Sequence, residues 1–165
     1  MTTSILVMES PVGPMRLTAD DEVLLEVMFA DPDTVPTDPG EPVTPLLGEA
    51  RNQLQGYFSG RLRTFDLPVA RRGTAFQQRV WSELEKIPYG TTSSYGEIAG
   101  RLGLPMGASR AVGTANGSNP IAIVVPCHRV IGANGKLVGY AAGLERKKYL
   151  LGLESATDGR PALFD

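Results

Sequence analysis

No helix or interior strand can run through residues 31–45, because five prolines (Pro32, Pro36, Pro39, Pro42 and Pro45) fall in those fifteen residues. The segment reads as an exposed loop, so regular structure must be completed before it and begun again after it. The 19 glycines and 13 prolines of this 165-residue chain add to that constraint: turns are many and helices short. A core is still within reach, since a chain of this size buries roughly 70% of the surface its unfolded form exposes. With 42% apolar and 21% charged residues the composition is that of a globular protein, which excludes a wholly disordered chain. The longest aliphatic run, Ile121 to Val125, is far below the ~20 residues of a membrane span. Met1-Thr2-Thr3-Ser4 has no basic region of the kind that opens a secretory signal. A single cysteine permits no internal disulfide, and one cysteine with one histidine cannot close a structural zinc site. The expectation is a cytoplasmic, reducing compartment, with no metal.

Charge is unevenly placed. Residues 1–70 carry 4 basic and 11 acidic side chains, whereas residues 71–165 carry 12 basic and 7 acidic ones. An acidic half followed by a basic half fits contact between the second half and a polyanion, although two solvated surfaces would look the same.

The first thirty residues read as a β-meander: Ile5 to Met8, a turn at Pro11 to Pro14, Arg16 to Thr18, then Val23 to Phe29. Past the proline loop, Leu47, Ala50, Leu54, Tyr57 and Phe58 share a helical face that Gly60 ends, and Leu62 to Leu67 reads as a further short strand. The charge reversal at Pro68 to Gly73 sets the expected boundary between lobes at residues 1–73 and 74–165. Thr74 to Gln77 has capping-box spacing ahead of the stripe Phe76, Val80, Leu84 and Ile87. A second box, Ser94 to Glu97, opens a short helix through Leu102 with Ile98 and Ala99 inward. Gly103-Leu104-Pro105 breaks it, and a third helix is expected over about Met106 to Asn116 with Ala111, Val112 and Ala115 inward. Two short helices across a tight turn have the form of a helix-turn-helix, a pattern that many inert helical hairpins share. Ile121 to Val125, without polar alternation, reads as a strand buried on both sides. Asn134-Gly135, between Val130-Ile131 and Leu137-Val138, signals a hairpin. Gly143 to Glu154 reads as a last helix, followed by a loose tail from Ser155.

Cys127-His128 is the pair best suited to chemistry. A thiol is a strong nucleophile only as thiolate, and an imidazole can take its proton. Neighbours in an extended segment point to opposite faces, so contact between the two needs a bridging water or a bend at Pro126. The residues alone leave open a buried structural cysteine beside an unrelated histidine.

Pro126-Cys127-His128-Arg129-Val130, preceded by Asn119-Pro120 and Ile121 to Val125, resembles the active-site strand of the O6-alkylguanine-DNA alkyltransferases. Ser94-Tyr95, Ser109-Arg110-Ala111-Val112-Gly113, Gly139-Tyr140, Gly143-Leu144, Leu150-Leu151 and Glu154 follow the family's order. The likeness covers residues 74–154 strongly and the N-terminal lobe in outline. It implies an α/β protein: a mixed N-terminal lobe of ribonuclease-H-like type, sheet plus helix, then a mainly helical C-terminal lobe with a helix-turn-helix. It also implies DNA repair by irreversible, single-turnover transfer of an alkyl group from guanine O6 to Cys127, with no cofactor. The partner implied is double-stranded DNA carrying O6-alkylguanine, with no membrane and no obligate protein partner.

Carried over position by position, the resemblance makes Cys127 the acceptor, His128 a water-mediated base and Glu154 the group that orients the histidine. Guanine O6 in a duplex faces its partner, so the nucleotide must be extruded before sulfur can reach it. Arg110 would fill the vacated stack, and Tyr95 would turn the nucleotide out and offer its hydroxyl to the base. Ser94, Ala108, Ser109, Ala111 and Gly113 belong to the implied DNA face, where small side chains admit the backbone. Asn119 would tie the segment after the second helix to the active site, and Val130 and Tyr140 would line the pocket. Ala141 departs from the family, standing where a serine often adds a hydroxyl to base recognition. Two rival readings stay in view. A non-catalytic binder of alkylated bases would lack the cysteine that Cys127 supplies, and a cysteine hydrolase would turn over repeatedly without using Arg110.

Overall fold

A computed structural model describes residues 2–31, 42–105 and 107–157. Its contacts group Met1–Ala70 with Pro120–Val124 as one unit, and Arg71–Asn119 with Val125–Asp165 as another. The expected boundary at residue 73 is close to the first division; the return of residues 120–124 to the first unit has no signal in the charge pattern.

The first unit is built on an antiparallel meander, β1 (Ser4–Met8), β2 (Met15–Ala19) and β3 (Leu24–Phe29), in that spatial order. Leu6 faces Leu17, and Leu17 faces Val27, so one sheet face is apolar through all three strands. Met15, Leu17, Leu24 and Val27 from that face are fully or almost fully buried. The covering helix α1 (Pro45–Phe58) brings Leu47, Ala50, Leu54 and Tyr57. Most of the proline-rich segment lies outside the described residues, but Pro45 does not belong to a loop. It opens α1 behind the N-cap Thr44, where its missing N–H costs nothing.

Two strand expectations fail in this unit. Leu62 to Leu67 forms no strand, because Gln53 of α1 takes both backbone groups of Asp66: its amide donates to the carbonyl at 3.1 Å and its oxygen accepts the N–H at 2.9 Å. Only Val69 bridges to Leu24. Ile121 makes one parallel bridge with Val27, and then the chain turns away. Val124 N–H donates to Ala122 O at 2.8 Å, with Ile123 at φ +70°. The apolar run records burial of Ile121, Ile123 and Val125 rather than a strand.

The second unit is helical. In α2 (Ala75–Glu85) and α3 (Tyr95–Arg101) both halves of each expected capping box form. Trp81, which the sequence stripe omitted, is buried with Val80 and Leu84, and its indole donates to Ala115 O at 2.9 Å. After residues 102–108, α4 (Ser109–Gly117) starts later than expected. It buries Val112, Ala115 and Asn116 and leaves Ala111 exposed, because the inward stripe is one position out of phase with the sequence reading. Val130-Ile131 (β5) pairs in parallel with Ser93-Ser94 (β4), so the expected hairpin keeps its turn, Gly132 N–H to Lys136 O at 2.9 Å, without a second strand. The last helix, α5 (Leu144–Thr157), runs past Ser155 because Glu154 and Ser155 are both buried. Among the described residues no helix is long and apolar enough to cross a membrane.

Candidate active site

Pro126, with φ −82° and ψ 64°, turns the chain into one 3-10 turn, Cys127–Arg129. Successive side chains on such a turn step round by about a third of a circle. Cys127 and His128 are therefore not on opposite faces, as an extended segment would place them. All three residues of the turn are buried, and Cys127 is a free thiol.

His128 Nε2 lies 2.6 Å from Oε2 of Glu154. Against the cost of burial, His128 first and then Arg129 hold the Glu154 carboxyl down to about 2. An ionised carboxylate only accepts, so Nε2 carries the proton and Nδ1 is the open nitrogen of a neutral ring. Nδ1 is buried and has no hydrogen-bond partner among the described residues. Burial lowers the imidazole's affinity for a second proton, opposed by Glu154 and assisted by Arg129. A neutral base with its acceptor nitrogen free is the result.

Burial pushes the Cys127 thiol up, while Asn119, Tyr140 and the Lys147 ammonium pull the other way. The sulfur rests as a thiol, and its proton has to leave during reaction. Backbone contacts fix its position: Cys127 O accepts from Asn116 Nδ2 at 3.3 Å, and Asn119 Nδ2 donates to Val125 O at 2.8 Å. Asn116 lies in the last turn of α4 and Asn119 just beyond it, so the helix and the reactive turn are tied together.

Tyr95, at the start of α3, is half-buried and donates its hydroxyl to Val138 O at 3.2 Å. The same carbonyl accepts from Lys147 Nζ at 3.1 Å, which also donates to Gly139 O at 3.1 Å. Lys147 is fully buried, 5.9 Å from the Tyr95 ring centroid and 6.0 Å from that of Tyr140, and burial lowers its ammonium to about 8. Val130 is fully buried, whereas Ala141 is exposed.

The α4 face is of another kind. Ser109, Arg110, Ala111 and Thr114 are exposed, Ala108 and Gly113 are half-buried, and Arg110 makes no ion pair among the described residues. A Cβ on Gly113 would come within 3.7 Å of the Tyr95 ring, so α4 and Tyr95 pack closely. Ser94 is committed locally: its hydroxyl caps α3 by accepting Glu97 N–H at 3.0 Å.

The structure thus gathers Cys127, His128, Glu154, Tyr95, Asn119, Val130 and Tyr140, and sets Arg110, Ser109 and Ala111 on a separate open face. Sequence reasoning missed Arg129, Lys147, Asn116 and the Gly90 N–H, which donates to Glu154 Oε1 at 3.2 Å. For Lys147 a signal existed. Lys147, Leu150, Leu151 and Glu154 recur at helical spacing, which puts two charged residues on the buried stripe of α5. Among the described residues no group of three or more His, Cys, Asp or Glu side chains is arranged to hold a metal ion.

A buried free thiol and, next to it in the chain, a neutral imidazole held by a carboxylate are the features of a cysteine-based group acceptor. Comparison with known proteins agrees. Residues 5–70 match the ribonuclease-like domain of 6-O-methylguanine DNA methyltransferase, and residues 75–156 match its DNA binding domain. A methylated-DNA–protein-cysteine methyltransferase of Methanosarcina acetivorans is 52% identical over 91% of this chain and 97% of its own. One from Mycobacterium tuberculosis is 51% identical over 90% of each chain. The solved structure of Mycobacterium tuberculosis OGT in complex with DNA superposes with a TM-score of 0.83 at 49% identity, covering 98% of this chain and 99% of that one. The chain belongs to the 6-O-methylguanine DNA methyltransferase family.

Proposed function

We propose that this protein repairs DNA by direct reversal, taking the alkyl group of O6-alkylguanine onto Cys127. The observation that carries the reading is the neutral His128, held through Nε2 by Glu154 with Nδ1 open, next to a buried thiol. Nδ1 takes the thiol proton through a water as sulfur attacks the alkyl carbon. The carbon–sulfur bond forms as the carbon–oxygen bond breaks; the Tyr95 hydroxyl gives a proton to the ring so that guanine leaves as the neutral base, and the proton taken from the thiol makes that loss good. The thioether has no hydrolysable acyl bond, so each molecule acts once. Tyr95, already a hydroxyl donor at the pocket, supports the reading by its place to meet the base.

α3 and α4 act as the helix-turn-helix, with the small residues Ala108, Ser109, Ala111 and Gly113 admitting the DNA backbone and Arg110 entering the stack. Residues 74–165 are the DNA-binding and acceptor lobe, and residues 1–73 the supporting one. The cytoplasm is the fitting compartment, because a lone nucleophilic thiol must stay reduced to work.

The test is stoichiometry. Duplex carrying labelled O6-methylguanine should load about one equivalent per protein, on Cys127, as expected for a covalent acceptor with no release step. Repeated turnover would replace this reading with a hydrolase, and binding without transfer would leave only a lesion binder.

A further inference from the structure

Glu154 has more partners than a base-orienting carboxylate requires. Besides His128 Nε2 and Gly90 N–H, it receives a two-pronged contact from Arg129, Nε to Oε1 at 2.8 Å and a terminal nitrogen to Oε2 at 3.2 Å. Arg129 is itself buried, and it is fixed from its far side. Its other terminal nitrogen donates to Ile87 O at 2.7 Å, and its guanidinium lies 5.6 Å from the Tyr89 ring centroid. This is expensive architecture for mere support, because a buried guanidinium must be fully paired to be tolerated.

A buried carboxylate 2.6 Å from an imidazole creates a problem that Arg129 answers. Alone, the negative charge would favour imidazolium, as any close opposite charge favours the charged form. An imidazolium carries N–H on both nitrogens and has no lone pair for the thiol proton. We propose that Arg129 is a positioning residue that keeps His128 a neutral base, by balancing the Glu154 charge and holding the carboxylate in plane with Nε2. The proposal rests on the alkyl-transfer reading of the site. Before reaction the imidazole, carboxylate and guanidinium together carry no net charge. When Nδ1 accepts the Cys127 proton they carry one positive charge, a state that stabilises the forming thiolate and readily gives the proton up again.

The other ionisable groups around the imidazole do not do this. Glu154 and Lys147 of α5 and Arg129 of the turn act on the ring directly; Tyr89 lies against the Arg129 guanidinium, and Tyr140, from the loop after β5, feels Cys127, Arg146 and Glu154. The buried face of α2 adds only Val80, Trp81 and Leu84. Lys147 assists more weakly than Arg129 and makes no contact with the carboxylate.

His128 is the sole histidine of the chain, so its ring can be followed without assignment. Imidazole nitrogen-15 shifts of the intact protein should show the neutral tautomer with the proton on Nε2 throughout the neutral range. An imidazolium there would overturn the proposal with no variant needed. For single-turnover transfer followed against pH, Arg129→Met should move the acid limb upward by about one unit, the scale of losing one close charge. That shift corresponds to a loss of about tenfold on the acid side, recovered in mild alkali. Arg129→Lys, which keeps the charge without the two-pronged contact, should hold the limb near its parent position at a reduced rate. A folded Arg129→Met that is slowed by one factor at every pH would reduce Arg129 to structural support. If the parent itself accepts no alkyl group, the functional reading fails, while the nitrogen shifts still report on Arg129 by themselves.

Discussion

The reactive turn and the outer face of α4 lie close in the chain and are built by opposite rules. Around Cys127 the ionisable groups are buried and bound to one another: His128, Arg129, Glu154 and Lys147 all find protein partners. On α4 the exposed residues Ser109, Ala111 and Thr114 are small and Arg110 makes no ion pair among the described residues, which fits the proposed contact with something outside the protein. The first region makes its own chemistry by excluding water, which strengthens each charge it contains. The second owns no chemistry and supplies geometry. Changes in the first should therefore damage reaction and fold whatever the substrate, and changes in the second should depend on which substrate is offered.

Short of removing Cys127 itself, the largest effect should come from the base. His128→Ala and Glu154→Ala should slow transfer by ~10²–10⁴, the usual worth of general-base assistance, while duplex affinity changes little. A His128 variant reacting at the parent rate near neutral pH would dissolve the contrast, since the buried cluster would then have no catalytic content. Cys127→Ala should accept nothing and still bind duplex.

Acid should find the same cluster. The carboxyl of Glu154 sits at about 2 against an ordinary 4.5, so its stabilisation is complete above 4.5 and is lost as pH falls from 4.5 towards 2. Across that window the linkage amounts to about 3 kcal/mol. His128 works in the same direction: burial holds it below its ordinary 6.5, so charging it on acidification favours unfolding. Denaturant titrations between neutral pH and pH 3 should show the larger part of this loss, and Glu154→Gln, less stable throughout, should show a flatter dependence. An unchanged slope in that variant would mean that the acid sensitivity lies elsewhere.

These two regions also differ in how far the sequence exposes them. Local signals were legible: both capping boxes, the meander, the α1 stripe and the Cys127-His128 pair depend on residues a few positions apart. What failed depended on distant partners. Leu62 to Leu67 has strand composition, but Gln53 occupies the backbone groups that a strand would use. Leu137-Val138 has hairpin spacing, but Tyr95 and Lys147 claim Val138 O, and Ser93-Ser94 claims β5. Arg129 and Lys147 were passed over because a charged residue reads as solvated until its partner is known. Ala111 was placed inward on its apolar character alone, and the true inward residue one turn on is the polar Asn116.

On the open face, Arg110→Ala should separate extrusion from affinity. A phosphate contact would contribute equally on any duplex and lower the salt slope by about one unit. A side chain that fills the stack instead offsets an unstacking cost of a few kcal/mol, which only a paired lesion incurs. Transfer from paired O6-methylguanine should fall substantially while reaction with free O6-benzylguanine stays near parent, and an unpaired lesion should fall between them. Equal losses on free base and duplex would return Arg110 to the fold.

The smallest effect tests a residue on the border between the regions. Ser94 belongs to the DNA face that the family likeness implies, yet its hydroxyl is already used as the N-cap of α3, with Glu97 completing the box through Ser94 N–H at 3.1 Å. Removing an N-cap hydroxyl costs about 1 kcal/mol, so Ser94→Ala should lower Tm by roughly 2–4 °C for a chain of this length. Stability alone cannot distinguish a cap from a cap that also meets DNA. Ser94→Asp can, because aspartate caps as well as serine and stabilises a helix N-terminus, but it repels phosphate. If Ser94 only caps, Ser94→Asp should keep the parent Tm and the parent affinity for duplex. If the hydroxyl also lies against a phosphate, the same variant should keep Tm and lose affinity, most strongly at low salt where charge repulsion is least screened. Unchanged affinity at low salt would remove Ser94 from the DNA face and place the border between the two regions at Tyr95.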